Sequence, residues 1–380
     1  MEKCATVKRA ADRRLTVVFF VPDLSGGGAE KMCTEFLSLI DASRFRPILI
    51  VCNKEGSNLS AIPSTVPLYS LQKKSRFSLP LLIFRYSKLI SRLKPDVTIS
   101  FAWYCDMINL LAPSGQAKAV CSIHCVPREI QKERFGRLKC WISRKMYPRA
   151  DKILTVSKAV KEEFSQTFLS PHASNITVQN NPFPLARISA LSQAYTHTWP
   201  CHTGRLVAVG RLDWVKGFDV LLNALATLPT HQDWHLVLCG TGDERKKLTQ
   251  LVQQLRLQNK VTFAGYQANP YPIIASADAL ICSSRFEAFP SVIVEALALA
   301  TPVVSFDCPS GPAEILNGQN GILVPDGDRK ALADAVLRIL SDATLRNTLS
   351  QAGPLSVQHL DAPASLNRLE ETLIGCIQKY

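Results

Sequence analysis

Short runs of β-branched and apolar residues recur along this chain, and most are followed by a longer stretch with helical spacing. In the first half the runs are 15–21, 47–52, 96–101, 118–123 and 152–156; in the second they are 205–210, 234–239, 260–264, 279–282 and 302–306. Strand signals that alternate with helix signals imply parallel sheets with crossover helices, an α/β architecture. The pattern occurs twice in 380 residues, too many for one ordinary core, so two doubly wound, Rossmann-like domains are expected. Between the halves, NNPFPLARISALSQAYTHTWPCHTG (180–204) has prolines and polar residues without a strong period and reads as a linker. The expected division is an N-terminal domain over 1–180, a linker over 181–204 and a second domain over 205–362. An amphipathic segment, 363–380, is expected to cross back onto the first domain. Two such domains facing one another would leave a cleft at the carboxyl ends of both sheets.

Composition narrows the class. At 47% hydrophobic and 20% charged the chain reads as globular, and no apolar run approaches the ~18 residues that would span a bilayer. The opening VKRAADRRLTVVFFVPDLSGGGAE has the basic-then-apolar order of a signal peptide. Its apolar part, however, is β-rich and leads through glycines into a helical pattern, so it reads as a first buried strand. Twelve cysteines are scattered, several within apolar runs (Cys52, Cys239, Cys282), which suits reduced thiols in a cytoplasm. Cys121 and Cys125 flank His124, but no second ligand pair follows, so zinc is not expected.

Charge is uneven. Residues 1–180 hold 28 Lys and Arg against 14 Asp and Glu, whereas 181–380 hold 16 against 17. The cations cluster in KKSRFSLPLLIFRYSKLISRLK (73–94) and REIQKERFGRLKCWISRKMYPRADK (128–152), mixed with Leu, Ile, Phe, Trp and Tyr at helical spacing. Such a face suits an anionic membrane surface. A solvated helix flank is the plainer reading. Nucleic acid is the competing partner, but no nucleic-acid motif is present, and none is expected to bind.

Four stretches could carry chemistry. FVPDLSGGGAEKMCTEFL is a strand, then Gly26, Gly27 and Gly28, then a helix; the glycines permit close approach and the helix start favours an anion. It departs from the dinucleotide fingerprint, because Asn53 and Lys54 stand where a ribose-binding acid belongs. GRLDWVKGFDVLLNALATL (210–228) sets Arg211 and Lys216 around a loop at a strand's carboxyl end, where two cations could neutralise a diphosphate without metal. A pair of surface cations is the bland alternative. VLCGTGDERKKL places Gly240 and Gly242 in a tight strand-to-helix turn. SSRFEAFPSVIVEALALATP (283–302) puts Glu287 in a loop, Pro290 in the first turn of a helix, the amides of Ser291 and Val292 at its start and Glu295 one turn in. An acid on either side of free amides matches a nucleotide sugar: Glu287 to the sugar, amides to the diphosphate, Glu295 to the ribose. By itself His124 reads as a loop histidine. PDGD (325–328) precedes a helical run and reads as a turn and N-cap rather than a metal site.

Together, GRLDWVKGFD, GTGDERKKL and EAFPSVIVEALALATPVVSFD resemble, in order and spacing, the second domain of family-four retaining glycosyltransferases. GGGAE and SIHCVP are similar to its first-domain positions. The resemblance covers nearly the whole chain and implies the GT-B fold, with the donor nucleotide held mainly by the second domain. It implies that Arg211 and Lys216 bind the diphosphate, Glu287 contacts the donor sugar, Glu295 binds ribose and His124 lies near the transferred sugar. It also implies that the loop 26–28 covers the phosphates. No metal or cofactor is implied. Ala288 departs from the pattern, which has glycine there. CPSGPAEIL (308–316) occurs in members that assemble bacterial surface polysaccharides. The expected activity is transfer of a hexose or N-acetylhexosamine, with retention, from a nucleotide-diphosphate sugar, UDP-linked by family habit. The expected acceptor is a lipid-linked or lipopolysaccharide-type glycan at the inner face of the cytoplasmic membrane. A nucleotide-sugar epimerase of the same shape and a non-catalytic nucleotide-sugar-binding protein are the alternatives.

Overall fold

A computed structural model describes residues 13–25, 27–75, 78–113, 115–132, 135–169, 173–200 and 204–378. The chain divides into two compact units, Met1–Pro182 with Ala362–Tyr380, and Phe183–Asp361.

The first unit is built on seven strands: Leu15–Val21 (β1), Phe45–Val51 (β2), Leu68–Ser70 (β3), Val97–Ser100 (β4), Lys118–Ile123 (β5), Lys152–Thr155 (β6) and Ile176–Val178 (β7). They lie in the order β3-β2-β1-β4-β5-β6-β7, and the pairings are parallel. β1 runs beside β2 from Leu15 opposite Phe45 to Val21 opposite Val51. In its sequence LTVVFFV the buried run Val17–Val21 is wholly apolar because both faces are covered, as a parallel sheet requires. The side-chain period of two divides it. Val17, Phe19 and Val21 join a core with the helix Gly28–Leu39, while Val18 and Phe20 join another with the helix Leu79–Leu93. The C-terminal helix Ala362–Gln378 packs Leu366, Leu369 and Leu373 into the first of these cores. Its Glu370 accepts from the backbone N of Asp41 (3.0 Å) and pairs with Arg44 (2.7 Å).

The second unit has six strands: Arg205–Val209 (β8), His235–Cys239 (β9), Val261–Gly265 (β10), Ala279–Cys282 (β11), Val303–Asp307 (β12) and Ile322–Pro325 (β13). Their order is β10-β9-β8-β11-β12-β13, again with parallel pairings. Residues 181–204 contain the helix Leu185–Ser192, which belongs to this unit. Asp328 caps the helix Arg329–Ser341 through its side chain, as PDGD suggests.

Sequence reasoning did not anticipate β3, β7 and β13. Each has three or four residues and lies at a sheet edge, where one neighbour suffices and no long buried run is needed.

Both sheets have a point where the order reverses, between β1 and β4 and between β8 and β11. Loops leaving adjacent strands there diverge to opposite faces and leave a crevice at the carboxyl ends. In the second unit those loops are 210–217 and 283–290, which carry three of the four expected catalytic residues.

Candidate active site

In the second unit, β8 ends and the chain turns through Gly210 and Arg211 into the short 3-10 turn Trp214–Lys216, capped by the Asp213 side chain. β11 ends and Ser283, Ser284 and Arg285 lead to Glu287. Lys216 Nζ donates to Glu287 Oε1 at 2.5 Å, and Ser284 Oγ donates to the same oxygen at 2.7 Å. Burial of Lys216 works against its charge, but the Glu287 carboxylate outweighs this, and the pKa of Lys216 is raised. The residue is therefore a firmly protonated cation. The two loops are tied at several further points. Ser283 Oγ donates to the Lys216 carbonyl (2.9 Å), and Arg285 N donates to the Val215 carbonyl (2.8 Å). The Arg285 guanidinium grips both oxygens of Asp219 (3.0 and 2.7 Å) and lies 4.8 Å from the Trp214 ring centre. Burial opposes the charge of Asp219, yet Arg285 holds its carboxyl below the ordinary value.

Arg211 stands apart from this cluster. Its side chain is 75% exposed and pairs with Asp213 at 3.0 Å. The glycines beside it have a packing reason. Gly240 has φ +149°, and a Cβ there would sit 1.8 Å from the Gly210 carbonyl oxygen; at Gly242 it would sit 2.4 Å from that of Leu212. Gly240 and Gly242 thus let the turn after β9 press against the Arg211 loop.

The helix Ser291–Ala298 starts just beyond Glu287, and its first amides, including those of Ser291 and Val292, have no acceptor within the helix. Pro290, expected inside the first turn, is instead the flanking residue, with φ −75° and ψ 90°. A ψ near 90° is outside the helical range, so the helix begins one residue later. Glu295 is buried and accepts from the Tyr271 hydroxyl at 3.3 Å. Ala288 is not among the residues with positive φ, so its methyl group fits an ordinary backbone.

In the first unit, Gly27 precedes the helix Gly28–Leu39, and a side chain at Gly28 would meet nothing within 4 Å. Gly26 lies outside the described residues. His124 follows β5. Its Nε2 is 2.9 Å from Ser122 Oγ, and its ring stacks on Phe101 at 5.7 Å. Burial lowers its pKa to about 4, so the imidazole is neutral near pH 7.

The structure brings Lys216 and Glu287 into direct contact, sets Arg211 at the same sheet end and gives Glu295 a fixed orientation. His124, Gly27 and Gly28 belong to the other unit. Sequence reasoning missed Ser284, Arg285, Asp219 and Tyr271. Ser284 had a faint signal, a hydroxyl three residues before an acid; Tyr271 had none, since it reaches Glu295 from a separate helix.

Comparison with known proteins identifies the family and the fold. Residues 26–187 match the family model "Glycosyltransferase Family 4" and residues 200–355 match "Glycosyl transferases group 1". Over 344 residues the chain is 30% identical to a Campylobacter jejuni transferase, covering 86% of this chain and 90% of the relative. That relative is the N-acetylgalactosamine-N,N'-diacetylbacillosaminyl-diphospho-undecaprenol 4-alpha-N-acetylgalactosaminyltransferase. The lipopolysaccharide core glycosyltransferase LpsE of Rhizobium meliloti is 34% identical over 178 residues, 47% of this chain and 51% of the relative. Anabaena HepE in complex with UDP-glucose superposes with a TM-score of 0.81 at 21% identity, covering 95% of this chain and all of the other. The lipopolysaccharide outer core galactosyltransferase WaaB superposes at 0.73 with 19% identity, covering 95% of this chain and 99% of that one. The paired parallel sheets are those of the GT-B fold, and the chain belongs to glycosyltransferase family 4.

Proposed function

We propose that this chain transfers a hexose or N-acetylhexosamine from a UDP-sugar to a lipid-linked or lipopolysaccharide-type glycan, retaining the anomeric configuration. The observation that carries the reading is the Lys216–Glu287 pair at the switch point of the second sheet, beside the start of the helix Ser291–Ala298. A cation and amides there face the charge that grows on a departing nucleotide diphosphate, while the acid is available to sugar hydroxyls. The solved relative that carries UDP-glucose supports the donor. The Campylobacter relative, named for a diphospho-undecaprenol substrate, supports the acceptor.

In this reading Lys216 and the amides of Ser291 and Val292 stabilise the leaving diphosphate, with Arg211 swinging in from solvent as a second cation. Losing one preorganised donor of this kind costs roughly 10²–10³-fold in rate. Glu287, oriented by Lys216 and Ser284, takes the donor sugar; Glu295, oriented by Tyr271, takes the ribose. Gly28 leaves the backbone bare for phosphate oxygens, the Glu30 carboxylate that lies against Gly27 would move aside for them, and His124 supplies a neutral imidazole toward the transferred sugar. The leaving phosphate assists removal of the acceptor proton, so no enzymic nucleophile is required. The enzyme works at the cytoplasmic face of the membrane, where its acceptor is anchored.

The test is thermal stabilisation by UDP, UDP-glucose, UDP-galactose, UDP-N-acetylgalactosamine and GDP-mannose, followed by product analysis with and without membrane lipid extract. A ligand at a hundred times its Kd stabilises by about 2.7 kcal/mol, a clear shift in melting temperature. Stabilisation by uridine compounds with extract-dependent transfer is expected. Epimerised donor formed without extract would favour the epimerase reading, and binding without turnover the non-catalytic one.

A further inference from the structure

Residues two apart on a strand share a face, so Val120 and Ser122 of β5 point the same way, toward the core that includes the helix Gly28–Leu39. His124 comes just after β5, and its ring lies against the same core. Phe101 backs the imidazole, with ring centres 5.7 Å apart and planes 28° apart. Phe101 is itself stacked on Phe19 (6.0 Å) and lies 6.4 Å from Phe36 of the helix. The ring therefore rests on a fixed aromatic bed. Its polar tether is Ser122 Oγ, 2.9 Å from Nε2. Among the described residues, neither Ser122 Oγ nor His124 Nδ1 has another hydrogen-bond partner.

We propose that Ser122 is a positioning residue: its hydroxyl donates to His124 Nε2, which leaves the ring hydrogen on Nδ1 and makes His124 a hydrogen-bond donor to an oxygen of the transferred sugar. The inference deepens the proposed function, and only its sugar half rests on that reading.

The bond between Ser122 and His124 could run in either direction, and burial decides which. Ser122 is 4% exposed. Were it to accept from an Nε2 hydrogen, its own hydrogen would have no acceptor, and buried donors in folded proteins are rarely left so. The reverse direction satisfies both atoms, because the hydroxyl gives its hydrogen to the Nε2 lone pair. A neutral imidazole carries one ring hydrogen, which is then on Nδ1. Burial secures that neutral state, lowering the pKa of His124 to about 4. Nδ1–H is then the edge of the ring offered to a sugar hydroxyl or an acetamido oxygen. With the Nε2 lone pair engaged, the ring has none left to take a proton from the acceptor glycan, which agrees with the leaving phosphate in that role. A histidine acting as base would need a bare Nδ1, the tautomer that strands the Ser122 hydrogen.

The experiment is two-bond proton–nitrogen correlation NMR of the whole chain labelled at histidine, near pH 7, which reads which ring nitrogen carries hydrogen. The chain has seven histidines, and His124→Asn identifies the signals of this one. The wild type should show hydrogen on Nδ1 and a bare Nε2, and this spectrum decides even where a variant fails to fold. Free imidazole side chains favour Nε2–H, so Ser122→Ala should move the hydrogen to Nε2. Ser122→Thr keeps the hydroxyl and should return it to Nδ1. In transfer assays Ser122→Ala should lower kcat/KM about tenfold, the scale of one hydrogen bond, while UDP, which lacks the sugar, binds as before. Ser122→Thr should recover most of that loss. Hydrogen on Nε2 in the wild type, or an unmoved hydrogen in Ser122→Ala, would overturn the proposal. A moved hydrogen with wild-type kcat/KM would overturn its sugar half. Nδ1–H in a chain that no nucleotide sugar stabilises would instead sink the transferase reading and leave the tautomer standing.

Discussion

The two units handle charge differently near the carboxyl ends of their sheets. At the switch point of the second sheet, charges are matched at close range: Lys216 with Glu287, and Arg285 with Asp219. The first unit has such pairs as well, Glu370 with Arg44 among them, but beside β4 and β5 burial shifts titratable groups toward their neutral forms. His124 is held uncharged near pH 7. Asp106 is buried with its pKa pushed up to about 7, burial outweighing its hydrogen bonds to Ser100 and Tyr147. The lesson is electrostatic. A buried charge persists only beside a partner: Lys216 keeps its charge against Glu287, whereas burial is the leading influence on His124 and Asp106 and shifts both toward their neutral forms.

The sharpest way to break this contrast is to remove half of a pair. Lys216→Ala should lower transfer by roughly 10²–10³-fold. It should also destabilise the second unit, since Glu287 is left half-buried without its cation. Normal turnover in a chromatographic transfer assay would remove Lys216 from the mechanism. Glu287→Gln keeps the shape and should cost transfer with a smaller loss of stability.

Asp106→Asn probes the neutral interior. An acid whose pKa is raised on folding favours the folded state when protonated. That stability is present below about 4 and is lost as pH climbs through about 7. The wild-type chain should therefore lose stability across this window, with a slope from this one group that approaches ~1.4 kcal/mol for each step of one in pH. The asparagine variant should flatten that slope in denaturant titrations. An unchanged slope would mean that Asp106 carries its charge unaided.

Arg285→Met should loosen the tie between the loops 210–217 and 283–290. The lost charged hydrogen bonds are worth about 1.5–3 kcal/mol, so UDP affinity should fall about tenfold while the sheets persist. Calorimetry reads this directly, and unchanged affinity would make the clamp purely structural.

The smallest expected effect concerns His124. Its pKa is depressed by burial, so its contribution to stability is present above the ordinary histidine value and is lost as pH falls toward 4. Between pH 6 and 8 its charge does not change, and the profile of kcat/KM should show no histidine step there that disappears in His124→Asn. Such a step would assign the imidazole a proton-transfer role.

The long buried strands and the candidate site residues stood out in the sequence for a shared reason. A strand covered on both faces is apolar through its buried middle, as Val17–Val21 of β1 and Leu236–Cys239 of β9 are. Charged residues directly after such strands have no core role to hide behind, which is how Arg211, Lys216 and Glu287 stood out. The edge strands left no comparable mark, because LYS, ITV and ILVP are too short and too exposed to show a period.

Alternating periods and strand-end residues determined the class of fold and which side chains gather at the carboxyl end of the second sheet, because both follow from local spacing and burial. Only the tertiary structure decided who holds whom. That Ser284 shares Lys216's oxygen on Glu287, that Tyr271 reaches Glu295, and that Gly240 yields to the Gly210 carbonyl depend on parts of the chain brought together by folding. Strand order sets those distances, and no short window of sequence encodes it.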